Sequence, residues 1–365
     1  AFTPLGEGPL RLVSLVPSTT ESLFALGRGE DLVGYTRFCV HPAEEVSRAR
    51  WIGGTKNPKI ERIIALRPDL VLANREENRE EDVAALEAAG IPVWVAEPRS
   101  VADAVQDLRH MAMLVGRTAR GDALAVRIEK ALDALRAVAL AAPRAVASLI
   151  WREPWLAAGR DTFLAALLAE AGLHVAAPGR YPTLTLDELR AADRVLLSSE
   201  PFPFTESHRA TLLEEDLEPE RVQLVDGELL SWHGVRLAKG LGYLRERLDD
   251  WFPRAPRRRH IPEPLRRFVA LANDGAHRDA LLALEALWLV ERSEFYAGLL
   301  QLMVALNQSA SGLAPSRTLR RARERLAPYA PHHAGLEVSS LLDALNAWGD
   351  GSGAPPPVTV RWVEA

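Results

Sequence analysis

Residues 51–78 read WIGGTKNPKIERIIALRPDLVLANREEN. A glycine turn ends in Thr55-Lys56-Asn57-Pro58. An amphipathic helix then leads through Arg67-Pro68-Asp69 into the apolar run Leu70 to Ala73, and that run opens directly into the charged loop Asn74 to Arg79. An apolar strand fed by a helix and ending in polar groups is the signature of a buried parallel strand with one end at a cleft. Just upstream, YTRFCVHP at 35–42 places the only cysteine of the chain beside a histidine in a second polar loop.

Reading outward, Leu10 to Val16 is a first strand, ended by Pro17. Ser18 and Glu21 form an S-x-x-E capping box before a helix with Leu23, Phe24 and Leu26 on its apolar face. Leu32 to Tyr35 is a strand, Glu80 to Ala89 a helix and Val93 to Val95 a strand. Connections this long between strands predict parallel pairing through crossovers. The spacing therefore predicts an N-terminal α/β lobe over 1–98, a helical connector over 99–142 and a second α/β lobe over 143–252. A Pro/Arg linker at 253–264 precedes an all-helical domain at 265–348, with Leu281, Leu282, Leu284, Leu287 and Trp288 as core candidates on one helix. Residues 349–365 give a flexible linker and a terminal strand that must pair with a lobe edge or another chain. The expected fold class is thus α/β, with two parallel-sheet lobes joined by a long helical connector and followed by an all-α domain.

Bulk properties narrow the function. A net charge of −5 gives no basic field for nucleic acid. One cysteine excludes an internal disulfide framework. No apolar run is long enough for membrane insertion. The first residues carry neither a basic nor an apolar signal region, so a cytoplasmic setting is expected, or a periplasmic or cell-surface one if a signal was removed.

In open parallel sheets ligands bind outside the carboxyl ends of the strands. The loops there hold Ser18 and Thr19, Thr36, Arg37, Cys39 and His41, then Asn78 and Arg79. In the second lobe they read WREPW (Trp151, Arg152, Trp155), SSEPFPF (Phe202) and DGELLSWHG (Trp232, His233). Lys56, Arg180 and Tyr181 lie in or near the same cleft. Aromatics among arginines suit a large flat ligand that stacks on rings while its polar rim meets guanidinium groups. Cys39 and His41 alternate, so on an extended segment they share a face, either as nucleophile and base or as two metal ligands. The plainer reading is a buried cysteine beside a loop histidine. No Walker A, HExxH or G-x-S-x-G pattern occurs.

The segments RLVSLVPSTTESLFALG, IGGTKNP and LRPDLVLANREEN, with a helical connector between two α/β lobes, resemble the helical-backbone metal-receptor family over about 10–252. These are the class III substrate-binding proteins of ABC importers for cobalamin, haem and ferric siderophores. The loops RFCVHP, WREPW, RYPTLTLDEL and LLSSEPFPF resemble a subgroup labelled cobalamin-binding. The resemblance implies a rigid long helix, no built-in cofactor and a bound metal chelate, cobalamin first. It also implies an importer permease as partner, docked by acidic residues whose nearest equivalents are Glu76 or Glu77 and Glu200. His41 or His233 would then coordinate the metal of the chelate.

The C-terminal domain resembles a small helical family of unassigned function marked by H-E-x-x-E-x-x-W. Glu285, Trp288, Gly298, Leu299, Gln301 and Ala305 match its pattern, while Leu281-Leu282 replace the His-Glu pair and Gln308 a later histidine. This copy reads as a packing or interaction domain, through which, or through the terminal strand, the chain would oligomerise. The competing functions are an enzyme using Cys39 and His41 on a small substrate, and a cytosolic scaffold with a vestigial cleft.

Overall fold

The computed structural model describes residues 5, 6, 8–253 and 261–363. Most of the Pro/Arg linker lies outside the described residues. The chain forms two compact units, one comprising Ala1–Val195, Glu200–Phe202 and Gly227–Arg245, the other Leu196–Ser199, Pro203–Asp226 and Glu246–Ala365.

The first unit opens with β1 (Leu12–Ser14), α1 (Pro17–Ala25), β2 (Leu32–Tyr35), α2 (Ala43–Val46) and β3 (Arg50–Trp51). It continues with α3 (Ile60–Ala65), β4 (Leu70–Asn74), α4 (Glu80–Ala88) and β5 (Val93–Ala96). These strands make one all-parallel sheet in the order β3-β2-β1-β4-β5. The central strands are apolar throughout because both faces are covered: Leu12, Val13, Val71, Leu72 and Ala73 are fully buried. Val13, Leu15, Ile52, Ile63, Val71 and Leu86 share one core. β2 and β4 flank β1 on opposite sides, so the chain reverses its winding there, and the crevice at that point opens between the loops that follow the strands.

The capping box at Ser18 is not formed. Pro17 is the first helical residue of α1, where its missing N–H costs nothing, and the N-cap is Val16 without a side-chain bond. Ser18 and Glu21 lie inside the helix.

The connector is not one long helix. α5 (Val101–Leu114) and α6 (Thr118–Arg136) are separated at Gly116, whose φ of +63° ends α5. The two helices pack on each other. Their approach is set by Gly121, where an added Cβ would stand 2.2 Å from that of Ala112.

The unit continues with β6 (Arg144–Trp151), β7 (Leu156–Ala158), α7 (Phe163–Ala169), β8 (Leu173–Val175), α8 (Leu186–Ala191) and the start of β9 (Arg194–Ser198). β8 runs parallel to β6, but β7 is antiparallel, which corrects the expectation of a purely parallel second lobe. WREPW is the turn of that hairpin, too short for a crossover.

Residues 227–245, expected with the second lobe, lie in the first unit together with β6 to β8 of that lobe. After α9 (Glu206–Glu214) and β10 (Val222–Val225) in the second unit, the chain forms α10 (Gly227–Ser231) and the first part of α11 (Leu237–Trp251) in the first unit. The turn between them lies on α1. The N–H of Val235 donates to Ser22 Oγ at 3.1 Å and Arg236 Nε to Glu21 at 2.7 Å. A Cβ on Gly234 would meet Ser22 Oγ at 2.3 Å.

The second unit carries the helical domain: α12 (Glu263–Asn273), α13 (His277–Glu291), α14 (Glu294–Ala310), α15 (Ser316–Leu326) and α16 (Val338–Ala347), with a hairpin of β11 (His332–His333) and β12 (Leu336–Glu337). Consecutive helices from α12 to α15 pack on one another. Leu284 and Leu287 are buried in α13 as the spacing requires, whereas Leu282 is 57% exposed and leaves the predicted core. The terminal segment finds its partner here: Glu337 N–H donates to Arg361 at 2.9 Å, and Asn273 exchanges two hydrogen bonds with Val360.

A buried polar group ties the end of α11 to this domain. His333 Nδ1 lies 2.7 Å from Asp250 Oδ2, Arg247 Nη1 lies 3.5 Å from the same oxygen, and Tyr329 Oη donates to Glu246 at 2.9 Å. The rings of Phe295 and Tyr329 enclose His333 at 4.6 and 4.7 Å.

Candidate functional site

The loop after β2 is a turn, not an extended segment: Cys39 N–H donates to Thr36 at 3.0 Å. Arg37 N–H ties the loop to Gly53 at 3.0 Å. Within the turn Cys39 points inward, where Thr20 Oγ1 donates to its sulfur at 3.0 Å and the buried Thr36 hydroxyl lies at 3.2 Å. Burial pushes the Cys39 thiol above its ordinary pKa, against the two hydroxyls. His41 points elsewhere, its Nε2 at 2.9 Å from Glu228 Oε2. Cys39 and His41 therefore do not share a face, and no thiolate–imidazole pair is assembled.

The loop after β4 is held by two asparagines. Asn78 Oδ1 accepts from Asn74 N–H at 2.9 Å and its amide donates to Thr55 at 2.9 Å, so Asn78 is a buried staple. Asn74 Oδ1 accepts from the N–H groups of Glu76 and Glu77 at 2.8 and 3.2 Å. The Lys56 ammonium caps the Glu76 carbonyl. Burial pushes the Glu77 carboxyl up, with Lys56 working the other way. Arg79 turns to Asp82 at 3.1 Å and Glu81 at 3.3 Å, at the start of α4. Ser18 and Thr19 are buried within α1.

The second sheet contributes an exposed aromatic surface. Trp151 is 47% and Tyr181 45% exposed. Phe202 meets Trp151 edge-on at 5.5 Å. Arg152 stands over the Trp155 ring at 5.9 Å and Arg180 over Tyr181 at 5.9 Å. The hairpin and the Arg180 loop run side by side, since Leu184 N–H donates to Trp155 at 2.8 Å and Gly159 N–H to Arg180 at 2.7 Å.

Three polar links join these loops. Arg180 pairs with Glu76 at 2.7 Å. Glu228 bridges His41 and Arg236, each at 2.9 Å, and Arg236 continues to Glu21. Burial opposes the Glu228 charge, yet the His41 hydrogen bond and Arg236 hold its carboxyl below the usual range. Asn74 Nδ2 donates to His233 Nε2 at 3.2 Å. Burial alone pulls His233 down to about 4, so it is a neutral acceptor at pH 7. Trp232 donates its indole N–H to Glu200 at 2.6 Å and lies under Arg236 at 4.8 Å. Trp232 and His233 thus touch both sides: Trp232 meets His41 and Glu200, and His233 meets Asn74 and the Phe163 ring at 6.2 Å.

Next to His233 lies a small cavity of about 10 Å³, lined by Thr19, Ser22, Trp94, Asp107, Met111 and Gly234 among others, room for one water. Asp107 Oδ2 has no hydrogen-bond partner, and burial pushes its carboxyl up to about 6. Among the described residues no group of three or more metal-ligating side chains is assembled.

Sequence reasoning missed Glu228, Arg236, Phe38 and Asp107. Glu228 and Arg236 find their partners about 190 and 215 residues away, which no local spacing encodes. Phe38, 45% exposed with Arg37 over its ring at 4.7 Å, sat inside a quoted loop and was findable as an aromatic between charges.

Residues 12–191 match the periplasmic binding protein family. The chain is 33% identical over 108 residues to the vitamin B12-binding protein of Photorhabdus laumondii subsp. laumondii, covering 30% of this chain and 39% of that one. It thus spans under two fifths of the length of that relative. Among solved structures, the apo periplasmic heme-binding protein RhuT from Roseiflexus sp. RS-1 aligns at TM-score 0.55 and 26% identity, covering 67% of this chain and 98% of the other. The periplasmic heme-binding protein BhuT in complex with two hemes aligns at TM-score 0.59 and 27% identity, covering 67% and 99%.

Proposed function

We propose that this chain, whose residues 12–191 form a periplasmic binding protein domain, holds a metal chelate without transforming it: a corrinoid first, then haem or a ferric siderophore. The observation that carries the reading is the rim itself. His41 is 37% exposed on its side chain and oriented by Glu228, while Trp151 presents an exposed ring and Tyr181 and Phe38 present exposed rings under arginines. A carboxylate behind an imidazole fixes the ring and raises its basicity toward a metal. Rings with guanidinium neighbours suit a flat macrocycle with a polar edge.

His41 is the better axial ligand of the two histidines, because its ring is 37% exposed and backed by a carboxylate, whereas His233 is in a buried setting and backed by an amide. Cys39 chemistry is disfavoured by burial and by a thiol pKa raised further from neutrality. The relatives that bind vitamin B12 and haem support the ligand class, and the two periplasmic structures favour an exported setting over a cytoplasmic one. Delivery to an importer permease, with Glu76, Glu77 and Glu200 as docking carboxylates, belongs to the same reading. No described helix is long and apolar enough to cross a membrane.

The test is direct. Cyanocobalamin, hemin and a ferric siderophore are added separately and followed by calorimetry and visible spectra. Saturable binding of one of them is the expected result, with the spectrum altered in His41→Ala. Binding of none overturns the reading.

A further inference from the structure

Glu76 is held more tightly than a loop glutamate needs to be. Its N–H is fixed by Asn74, its carbonyl is capped by Lys56, and Asn74 is itself stapled by Asn78. The carboxylate is thereby presented at one place, 2.7 Å from Arg180 Nη2. Arg180 is fixed in turn, its carbonyl accepting from Gly159 and its guanidinium standing over Tyr181. The nearby Glu97 feels Arg180 only as a secondary influence, being bonded first to Arg99 at 2.7 Å. The Glu76–Arg180 pair is nevertheless open to solvent, with side chains 36% and 51% exposed, so another anion can reach the guanidinium.

We infer that Glu76 is a built-in competitor for Arg180, tuning the site against ligands that carry peripheral carboxylates. A chelate with such groups gains Arg180 only by displacing Glu76. A chelate rimmed by uncharged amides stacks on Tyr181 and leaves the pair intact. Discrimination then comes from a contact that one ligand class must break, which is selection by an opposing element rather than by added attraction. The inference rests on the binding reading above.

Hemin, which carries carboxylates, and cyanocobalamin, rimmed by amides, are titrated into the full chain and into Glu76→Gln, Arg180→Met and the double variant. Exposed ion pairs of this kind are weak, so Glu76→Gln tightens hemin about two- to fivefold at low salt. The gain is smaller for cyanocobalamin and fades as salt screens the pair. In the Arg180→Met background the Glu76 substitution changes hemin affinity no further. An unchanged or weakened hemin affinity in Glu76→Gln, or equal gains for both chelates, overturns the competitor role while leaving the binding reading standing. If neither chelate binds any form of the protein, the binding reading itself falls and this inference with it.

Discussion

Two histidine–carboxylate pairs among the described residues have nearly the same length and opposite settings. His41 and Glu228 meet at 2.9 Å with 37% and 25% of their side chains exposed. His333 and Asp250 meet at 2.7 Å with 10% and 7% exposed, walled by Phe295 and Tyr329. Distance alone does not separate a ligand handle from an internal tie; the solvent on the other side of the ring does. At the rim the imidazole has an open edge to offer. In the helical domain the same pair has nothing to bind and fixes how the end of α11 meets its neighbours. His233 makes a third case, a histidine whose Nε2 faces the Asn74 amide and which burial keeps neutral.

The comparison breaks first at the buried pair. Asp250→Ala leaves both His333 and the buried Arg247 short of a carboxylate, and such a loss costs about 3–5 kcal/mol. Thermal unfolding of the helical domain is the readout. Glu228→Ala, tested the same way, costs about 1 kcal/mol or less, because its pair is part-exposed. Equal losses would erase the distinction.

The neutral histidine gives the next effect, and its sign is fixed. The folded state takes up a proton at His233 only near 4, the unfolded chain near 6.5. Stability from this group is therefore full above 6.5 and is lost as pH falls toward 4, by up to ~3 kcal/mol. His233→Gln keeps a partner for Asn74 and flattens that acid limb in a melting series from pH 7.5 to 4.

Asp107 works the other way. Its folded pKa is raised to about 6 from 3.8, so its penalty on the fold grows as pH rises from about 3.8 and is full above about 6. Asp107→Asn raises stability at pH 7.5 by about 1–2 kcal/mol, and the gain vanishes near pH 4. Because the two groups titrate in opposite senses between about 4 and 6, Asp107 partly offsets His233 in the wild type, and Asp107→Asn steepens the acid limb.

The smallest effect sharpens the rim. Trp151→Ala or Tyr181→Ala weakens chelate binding by about 1 kcal/mol each, the worth of one stacking ring beyond its area. Calorimetry on the binding chelate reads it, and an unchanged affinity removes that ring from the site.

Much of the first sheet was legible because its strands announce themselves. LVLAN is apolar on both faces, and its helix and turn residues bracket it. The loops proposed as the rim are those that follow the strand ends. What stayed hidden was long-range. The capping box at Ser18 looked complete locally, yet Pro17 begins the helix and Glu21 answers Arg236 instead. Cys39 and His41 look paired at a spacing of two, but the turn at Thr36 sends them apart. SWHG reads as a strand-end loop of the second lobe, and only the close seat of Gly234 on Ser22 shows where it goes. At Ser18 and at SWHG a partner far along the chain overrode a local pattern; at Cys39 a local turn did.

The seam between α5 and α6 has a mechanical consequence. Gly121 and Ala112 bring the two helices so close that no side chain lies between them to be compressed or to slide. Two rods joined that way resist bending far better than one rod of equal length. A side chain larger than hydrogen at residue 121 would wedge the pair apart at that point, so the seam is set by one missing methyl group.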